Sequence, residues 1–330
     1  MTILVTGGAG YIGSHMVLEL LDAGEQVIVL DNLSTGFRWA VPSHVPLIVG
    51  DFGDEELVSR ILREHQVSAI IHFAAKIVVP ESMADPLTYY LNNTAKARNL
   101  IACAVAARIE HFIFSSTAAV YGEPQSNPVS EDEMLKPINP YGRSKWFVEM
   151  MLEDVARATG LRHVVLRYFN VAGADPQGRS GQSTPDATHL IKVAVQAALG
   201  FRPGMDVFGT DYPTRDGSCE RDYIHVSDLV RAHMDALRYL RAGGPSLVCN
   251  VGYQKGYSVL DVIKMVKSVA GVDFPVHLSG RRAGDPAVIV ASNARIKSTL
   301  NWQPQHNDLQ TIVRQALDWE RRLHNRRGED

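Results

Sequence analysis

Cysteine is scarce in this chain of 330 residues, and the few that it contains lie far apart in the sequence. Cys103, Cys219 and Cys249 are odd in number and form no CxxC pair, so they predict neither a disulfide framework nor a cysteine metal site. A basic excess is also missing, since 33 Lys and Arg face 36 Asp and Glu for a net charge of −3. This balance argues against nucleic acid as the main partner.

Long apolar runs are absent as well, because no run reaches membrane-spanning length, and we therefore expect no membrane partner. The N-terminal residues enter a strand pattern at once, without a basic region or a small-residue cleavage site, so we expect a cytoplasmic location. The twelve histidines form no HxH or HxxxH pair, and no metal site is predicted. With 45% hydrophobic and 21% charged residues, the composition is that of a globular protein rather than a disordered or fibrous one.

The first half of the chain alternates short apolar runs with stretches of helical periodicity. The runs are continuously apolar rather than alternating, and each precedes a helical stretch, which predicts an α/β fold with a doubly wound (Rossmann) parallel sheet. The predicted strands are Met1–Thr6, Gln26–Leu30, Pro46–Val49, Ala69–Phe73, His111–Ser115 and His163–Phe169. The predicted helices that follow them include Glu55–His65, Tyr89–Ala107 and Tyr141–Ala158.

A glycine motif lies between the first strand and the first helix. Gly7, Gly10 and Gly13 permit a tight turn, so a pyrophosphate can approach the backbone and rest on the helix N-terminus. Asp31 ends the second strand, where an acidic side chain hydrogen-bonds a ribose diol and repels a 2′-phosphate. The combination of strand, glycines, helix and Asp31 predicts a dinucleotide site that prefers NAD to NADP.

The regular alternation loosens after Asn170. Residues 172–187 are rich in Gly, Pro and Ser and are predicted to form a long functional loop. Helices are predicted at Thr188–Leu199, Ser227–Leu240, Val259–Val269 and Asp308–Arg322. We therefore predict an NAD-binding domain over residues 1–170, to which some later segments return, and a smaller C-terminal α/β lobe over residues 171–330 that mainly binds substrate. The expected active site is the cleft between them.

A second constellation combines a tyrosine, a lysine and hydroxyl side chains. Tyr141 and Lys145 are four residues apart, which places both on one helix face. A nearby ammonium group favours phenolate and so lowers the pKa of a tyrosine, which would make Tyr141 a general base. Ser115, Ser116 and Thr117 end the fifth strand and are expected to point into the same cleft.

Several longer motifs together carry a resemblance to a known family. The segments GGAGYIGSH, LDNLSTG, IHFAA, FSSTAAVYGEP, NPYGRSK, LRYFNVAGADP and RDYIHVSDL extend over most of the chain. With them the chain resembles the extended short-chain dehydrogenase/reductase family and, within it, the enzymes that epimerise UDP-sugars at C4. This resemblance implies NAD as a tightly held cofactor, a UDP-sugar as substrate, and a homodimer formed through helices Tyr89–Ala107 and Tyr141–Ala158.

The resemblance also implies roles for individual residues. Tyr141 is the expected base, Lys145 its electrostatic partner that also holds the nicotinamide ribose, and Thr117 the hydroxyl on the sugar O4. The residues expected around the rest of the cofactor are Gly7, Gly10, Tyr11, Ile12, Gly13, Asp31, Asn32, Asp51, Phe52, Phe73, Ala74, Ala75, Asn92 and Phe169. Those expected around the substrate, besides Thr117 and Tyr141, are Asn170, His189, Leu190, Phe208, Arg221, Arg282, Asp285 and Ile289.

Three positions depart from the family pattern. Ile77 occupies a place where some members have Lys, which leaves a ligand contact of the preceding Lys76 open. His189 occupies a place that is commonly Asn, so its contact with the substrate can differ. Ile289 stands where members vary between bulky aromatic and small residues, and it either borders the C2 substituent of the sugar or is only a packed strand residue.

The activity implied is interconversion of UDP-glucose and UDP-galactose through transient oxidation at C4. Elimination or decarboxylation would need an acid directly after the hydroxyl, and Ala118 and Ala119 occupy those places. The alternatives are a 4-epimerase of UDP-N-acetylhexosamine or UDP-glucuronate and, from another class, an NAD-binding sensor without catalysis. A sensor would be expected to lose Tyr141 or Lys145, and both are present.

Overall fold

A computed structural model describes residues 1–185, 187–282 and 284–327 of the chain. In this part of the chain, a parallel sheet consists of seven strands: β1 Thr2–Thr6, β2 Gln26–Asp31, β3 Leu47–Val49, β4 Val67–His72, β5 His111–Thr117, β6 Arg162–Tyr168 and β10 Leu247–Val251. Their order across the sheet is β10-β6-β5-β4-β1-β2-β3. The predicted doubly wound sheet is confirmed.

Helices cover both faces of this sheet, as its continuously apolar strands require. They are α1 Tyr11–Asp22, α2 Glu55–Glu64, α3 Val79–Ala84, α4 Pro86–Tyr89, α5 Lys96–Ala106, α6 Pro140–Ala158 and α8 Val226–Arg241. One apolar cluster lies on the α1 and α8 face, with Met16 and Leu237 fully buried, and another lies on the α2, α5 and α6 face, with Phe112 and Leu152 fully buried. No helix in the described ranges is long and apolar enough to cross a membrane.

The C-terminal half adds short strands and helices. The strands are β7 Asn170–Ala172, β8 Met205–Phe208, β9 Glu220–His225, β11 Gly256–Ser258, β12 Val276–Ser279 and β13 Val288–Ile289. The helices are α7 Leu190–Ala198, α9 Val259–Ala270, α10 Ala294–Leu300 and α11 Leu309–Arg327. In addition, β10 lies in the C-terminal half of the sequence but pairs in parallel with β6 at the edge of the large sheet.

Most predicted element boundaries agree with the structure within two residues. Two helices differ more: residues Tyr90–Ala95 within the predicted helix Tyr89–Ala107 form a π-helical turn before α5 begins, and α11 continues to Arg327, beyond its predicted end at Arg322. Helix α7 begins at Leu190 rather than at the predicted Thr188. Because β1 has β2 on one side and β4 on the other, the strand order reverses there, and a crevice opens at the carboxyl ends of these strands.

Candidate active site

The turn between β1 and α1 tolerates only glycine at its critical positions. Gly7 has φ of +73°, and a Cβ added there would lie 2.6 Å from the backbone nitrogen of Ala74. A Cβ on Gly13 would lie 2.0 Å from the carbonyl oxygen of Gly7. Gly10 caps α1 without a side-chain hydrogen bond, so the backbone N–H groups of Tyr11 and Ile12 lie at an uncapped helix N-terminus. This arrangement fits the pyrophosphate of a dinucleotide.

Asp31 lies buried at the end of β2, next to this turn. Its carboxylate accepts hydrogen bonds from the backbone N–H groups of Ala9, at 2.9 Å, and Leu33, at 2.8 Å. The neighbouring Asn32 accepts one from Ser34. Asp31 therefore fixes the glycine turn and the chain after β2 relative to each other, as well as placing an acid where a ribose is expected.

The other predicted cofactor residues lie at the same edge of the sheet. Asp51 follows β3 and forms an ion pair with Lys96, while Phe52 is buried against His72 with ring centroids 4.9 Å apart. Phe73 and Ala74 follow β4, and both of their backbone N–H groups donate to the carbonyl of Thr6. The remaining predicted residues of this group are Ala75 after β4, Asn92 in the π-helical turn and Phe169 directly after β6.

Thr117, Tyr141 and Lys145 come together at the carboxyl end of β5. Thr117 is the last residue of β5 and hydrogen-bonds to Tyr141, which lies in the first turn of α6. Asn139 caps this helix by accepting from the N–H of Gly142 at 2.8 Å, and this cap fixes the start of the turn that carries Tyr141. The Nζ of Lys145 donates to the carbonyl of Ser115 at 2.9 Å and lies 4.9 Å from the centre of the Phe114 ring.

The electrostatics of this group differ from the expectation. Burial raises the pKa of Tyr141, and the hydrogen bond to Thr117 opposes this shift without reversing it. Burial also lowers the pKa of Lys145 to about 7, while the carboxylate of Glu149 opposes that shift. The predicted lowering of the tyrosine pKa is therefore wrong for this arrangement, because burial removes the phenol from water.

Behind Lys145 lies a buried polar network that the sequence reasoning missed. Glu149, one helical turn after Lys145, hydrogen-bonds to Ser116 and forms an ion pair with Arg167 at 2.6 Å. Arg167 donates to the hydroxyl of Tyr121 at 3.0 Å, and Tyr121 donates to Asn250 at 2.7 Å. The network joins α6 to β5, β6 and β10, and thereby sets where the tyrosine and lysine stand relative to Thr117.

Asn93 is a second residue that the sequence reasoning missed. Its side chain is buried, accepts from the N–H of Lys76 at 2.9 Å, and donates to the carbonyl of Lys76 at 2.9 Å and to the hydroxyl of Ser144 at 3.1 Å. It ties the chain after β4 to α6. The ammonium of Lys76 itself pairs with Glu81 at 2.8 Å, outside the group around Tyr141.

The predicted substrate residues divide into two groups. Asn170, His189 and Leu190 line one cavity together with Tyr11, and this cavity reaches back to Lys192, Trp319 and Glu320. Ile289 packs in an apolar cluster with Phe169 and Ala118, beside Thr117, and pairs with Arg221 in the β13–β9 register.

The second group lies at the more open end of the cleft. Phe208 is 37% exposed, and the guanidinium of Arg282 lies 4.1 Å from the centre of its ring. Arg221 approaches Asp285 at 3.8 Å and donates to the carbonyl of Glu220 at 2.8 Å. This end presents an aromatic face, two arginines and a carboxylate, a set that suits a nucleoside diphosphate. No group of His, Cys, Asp and Glu that could hold a metal ion occurs among the described residues.

Comparisons with known proteins agree with this geometry. Residues 3–252 match the profile of the NAD dependent epimerase/dehydratase family. The UDP-glucose 4-epimerase of Azospirillum brasilense is 55% identical over 327 residues, which are 99% of this chain and 94% of that protein.

Two solved structures are similar over nearly their whole length. The UDP-glucose 4-epimerase from Brucella ovis, in complex with NAD, is 42% identical with a TM-score of 0.93. The alignment covers 96% of this chain and 97% of the Brucella ovis chain. The UDP-Glc/GlcNAc 4-epimerase from Campylobacter jejuni is 47% identical with a TM-score of 0.85. The alignment covers 97% of this chain and 99% of the Campylobacter jejuni chain.

Proposed function

The chain belongs to the NAD dependent epimerase/dehydratase family, and from this premise we propose that it interconverts UDP-glucose and UDP-galactose. It is an NAD-dependent isomerase. One observation carries the proposal. Thr117, Tyr141 and Lys145 lie together at the end of β5, beside a glycine turn that fits a dinucleotide.

The chemistry at C4 explains why this enzyme needs a redox cofactor. The C4–H bond of a sugar is not acidic, so removal of a proton from carbon cannot invert that centre. NAD, held by the glycine turn and Asp31, would supply the redox chemistry that a reversible oxidation at C4 requires.

The side chains of this protein handle the proton of the sugar hydroxyl. We assign to Tyr141 the removal of the O4 proton and its return, and to Thr117 the hydrogen bond that holds O4 in place. Lys145, one helical turn after Tyr141, would hold the nicotinamide ribose beside it. The network of Ser116, Glu149 and Arg167 keeps α6 in register with β5, so that this proton transfer occurs over a fixed distance.

Anchoring of the nucleotide is assigned to the more open end of the cleft. The ring of Phe208 can stack on a base, and Arg221 and Arg282 can bind the diphosphate while the sugar turns. Ala118 and Ala119 follow Thr117, so the acid required for elimination is missing at those two positions.

The main test uses purified protein and UDP-galactose without added NAD. We expect UDP-glucose to form, and denatured protein to release NAD at about one per subunit. The reason is that each catalytic cycle would regenerate NAD, so the cofactor need not leave the enzyme. The proposal fails if only NADP is released, or if turnover requires a stoichiometric external oxidant.

Substrate range provides a second test, because Ile289 packs beside Phe169 and Ala118. Isoleucine leaves more room than an aromatic residue, so we expect UDP-glucose and UDP-galactose to be preferred, with detectable turnover of UDP-N-acetylglucosamine. Ile289→Tyr should abolish the acetamido activity by steric rejection and largely preserve the hexose activity. Equal loss of both activities would show that Ile289 acts only in packing.

The homodimer and the cytoplasmic location remain proposals. Exposed apolar side chains on α4, the π-helical turn and α6 support a self-association surface, with Leu87 76%, Leu91 59%, Phe147 36% and Met150 37% exposed. Light scattering at micromolar concentration should report a dimer, and a monomer would contradict this proposal. Fractionation of cells that express the protein should place it with the cytoplasmic enzymes.

A further inference from the structure

Two chain segments flank the glycine turn, and the C-terminal helix contacts both. The first, residues 36–40, lies directly against the turn, because the N–H of Phe37 donates to the carbonyl of Ala9 at 3.0 Å. A Cβ added to Gly36 would lie 2.8 Å from the backbone carbon of Ala9. This segment also carries Trp39, whose ring stacks on that of Phe37 with centroids 5.2 Å apart.

The second segment, residues 173–183, covers the first turns of α1. The hydroxyl of Tyr11 donates to the carbonyl of Gly173 at 2.7 Å, and the hydroxyls of Ser14 and Ser180 are 2.7 Å apart. Ser14 and Ser180 are both buried, so this contact is closed to solvent. The segment therefore packs against the first turns of the helix whose N-terminus fits the pyrophosphate.

Three residues of α11, which we name the α11 brace, contact these segments: Trp319, Arg322 and Arg326. Their spacing of three and four residues places them on one face of the helix. The ring of Trp319 lies 6.1 Å from that of Trp39, and its Nε1 donates to the hydroxyl of Ser183 at 3.2 Å. Arg322 donates to the carbonyl of Gly178 at 3.2 Å, and the guanidinium of Arg326 lies 4.4 Å from the centre of the Trp39 ring.

The brace is itself anchored to the body of the protein. Glu320 forms a buried ion pair with Lys192 of α7 and accepts from Gln196 at 2.9 Å. Gly181 packs against the Trp319 ring so closely that a Cβ there would lie 2.3 Å from its Cγ. One helix thus contacts two segments that are distant in sequence, and the ring of Trp39, which is 36% exposed, packs against Phe37, Trp319 and Arg326.

We propose that the α11 brace retains the cofactor: by fixing residues 36–40 and 173–183 on both sides of the glycine turn, it sets the rate at which NAD dissociates. The proposal rests on the NAD-dependent epimerase activity proposed above. An enzyme whose redox cycle closes within the site gains nothing from cofactor exchange, so slow dissociation keeps each subunit active. Neither Trp39 nor Arg326 is among the residues assigned to substrate or to proton transfer.

The test measures exchange of bound NAD for excess isotopically labelled NAD, followed by mass spectrometry of the dinucleotide on the re-isolated holoenzyme. Trp39→Ala should speed the exchange roughly tenfold, since the lost contacts no longer hold segment 36–40. Arg326→Ala should speed it less, because it removes only the cation from one face of Trp39. Arg321→Ala is the matched control, since its guanidinium pairs with Asp318 on its own helix at 3.3 Å.

Two further measurements make the outcome decisive. The activity that Trp39→Ala loses on dilution should return when NAD is added, whereas damage to the proton-transfer residues would not be restored. Wild-type exchange rates in both Trp39→Ala and Arg326→Ala, with unchanged melting temperatures, would overturn the proposal and leave the epimerase assignment intact. If Trp39→Ala does not fold, Trp39→Leu and Arg326→Ala carry the test. A wild-type protein without epimerase activity would instead contradict the proposed function.

Discussion

At the Tyr141 end of the candidate site the polar side chains are buried, whereas at the Phe208 end they are partly exposed, with Arg221 on β9 and Arg282 and Asp285 between β12 and β13. Lys145, Glu149 and Arg167 are all less than a tenth exposed, and Glu149 forms an ion pair with Arg167. At the open end the guanidinium of Arg282 packs against the ring of Phe208, which is 37% exposed. Proton transfer needs fixed distances, while binding of a nucleotide tolerates adjustment, and the two ends are built accordingly.

Among substitutions at the two ends, Tyr141→Phe should have the largest effect on kcat. Removal of the phenol hydroxyl should lower kcat by about 10²–10⁴-fold, the usual contribution of a positioned proton-transfer group, with little change in KM. Tyr90→Phe is the control, because it removes a hydroxyl from the adjacent π-helical turn, where the Tyr90 ring packs against Phe147. A Tyr141→Phe enzyme with the wild-type kcat would end the assignment of the base.

Glu149→Gln tests the rigidity of the buried end. This change leaves the guanidinium of Arg167 buried without its charged partner, so the free energy of unfolding should fall by roughly 3–5 kcal/mol. Glu153→Gln, one helical turn later, removes an ion pair with Arg157 that is largely exposed and should cost less than about 1 kcal/mol. Urea denaturation of both variants measures the difference, and equal losses would refute the contrast.

Arg282→Ala tests the open end. Loss of a charged contact to the diphosphate should raise KM for UDP-galactose by about tenfold, and kcat should change less because the proton-transfer group is remote. Arg281→Ala, at the neighbouring residue, is the control. The Arg281 guanidinium pairs with Asp211 at 2.8 Å and stacks on Tyr212. If steady-state kinetics showed kcat falling as strongly as in Tyr141→Phe, the assignment of nucleotide binding to the open end and of proton transfer to the buried end would be contradicted.

Mild acid should act on the stability of the fold through its buried histidines. Burial lowers the pKa of His15 and His233 to about 4 and of His72 to about 3. An unfolded chain protonates these rings near its pKa of about 6.5, so their contribution to stability is complete above that pH and is lost as pH falls towards 4. The urea midpoint should therefore drop between about pH 7.5 and pH 5. A midpoint that stayed constant or rose would contradict this sign.

The sequence predicted the large sheet well because its strands are continuously apolar and glycine or polar residues separate them. It did not show β10, the seventh strand of that sheet, or the short strands β7, β8, β9, β11, β12 and β13, since runs of two to six residues, several with polar side chains, carry too little periodicity. Glu149 and Asn93 were missed because a polar residue in a helix is usually exposed, and only the fold shows that both are buried. Spacing placed Tyr141 next to Lys145, but spacing alone contains no information on desolvation, which decides the direction of the tyrosine pKa.

The position of β10 has a consequence for how the protein is made. Residues 247–251 form the outermost strand next to β6, so during translation the backbone edge of β6 stays open until most of the chain has left the ribosome. An open edge can pair with other nascent chains, which makes the interval between synthesis of β6 and β10 the period of greatest aggregation risk. A fragment that ends before residue 247 would keep that edge permanently, so the first half of the chain is a poor candidate for expression on its own.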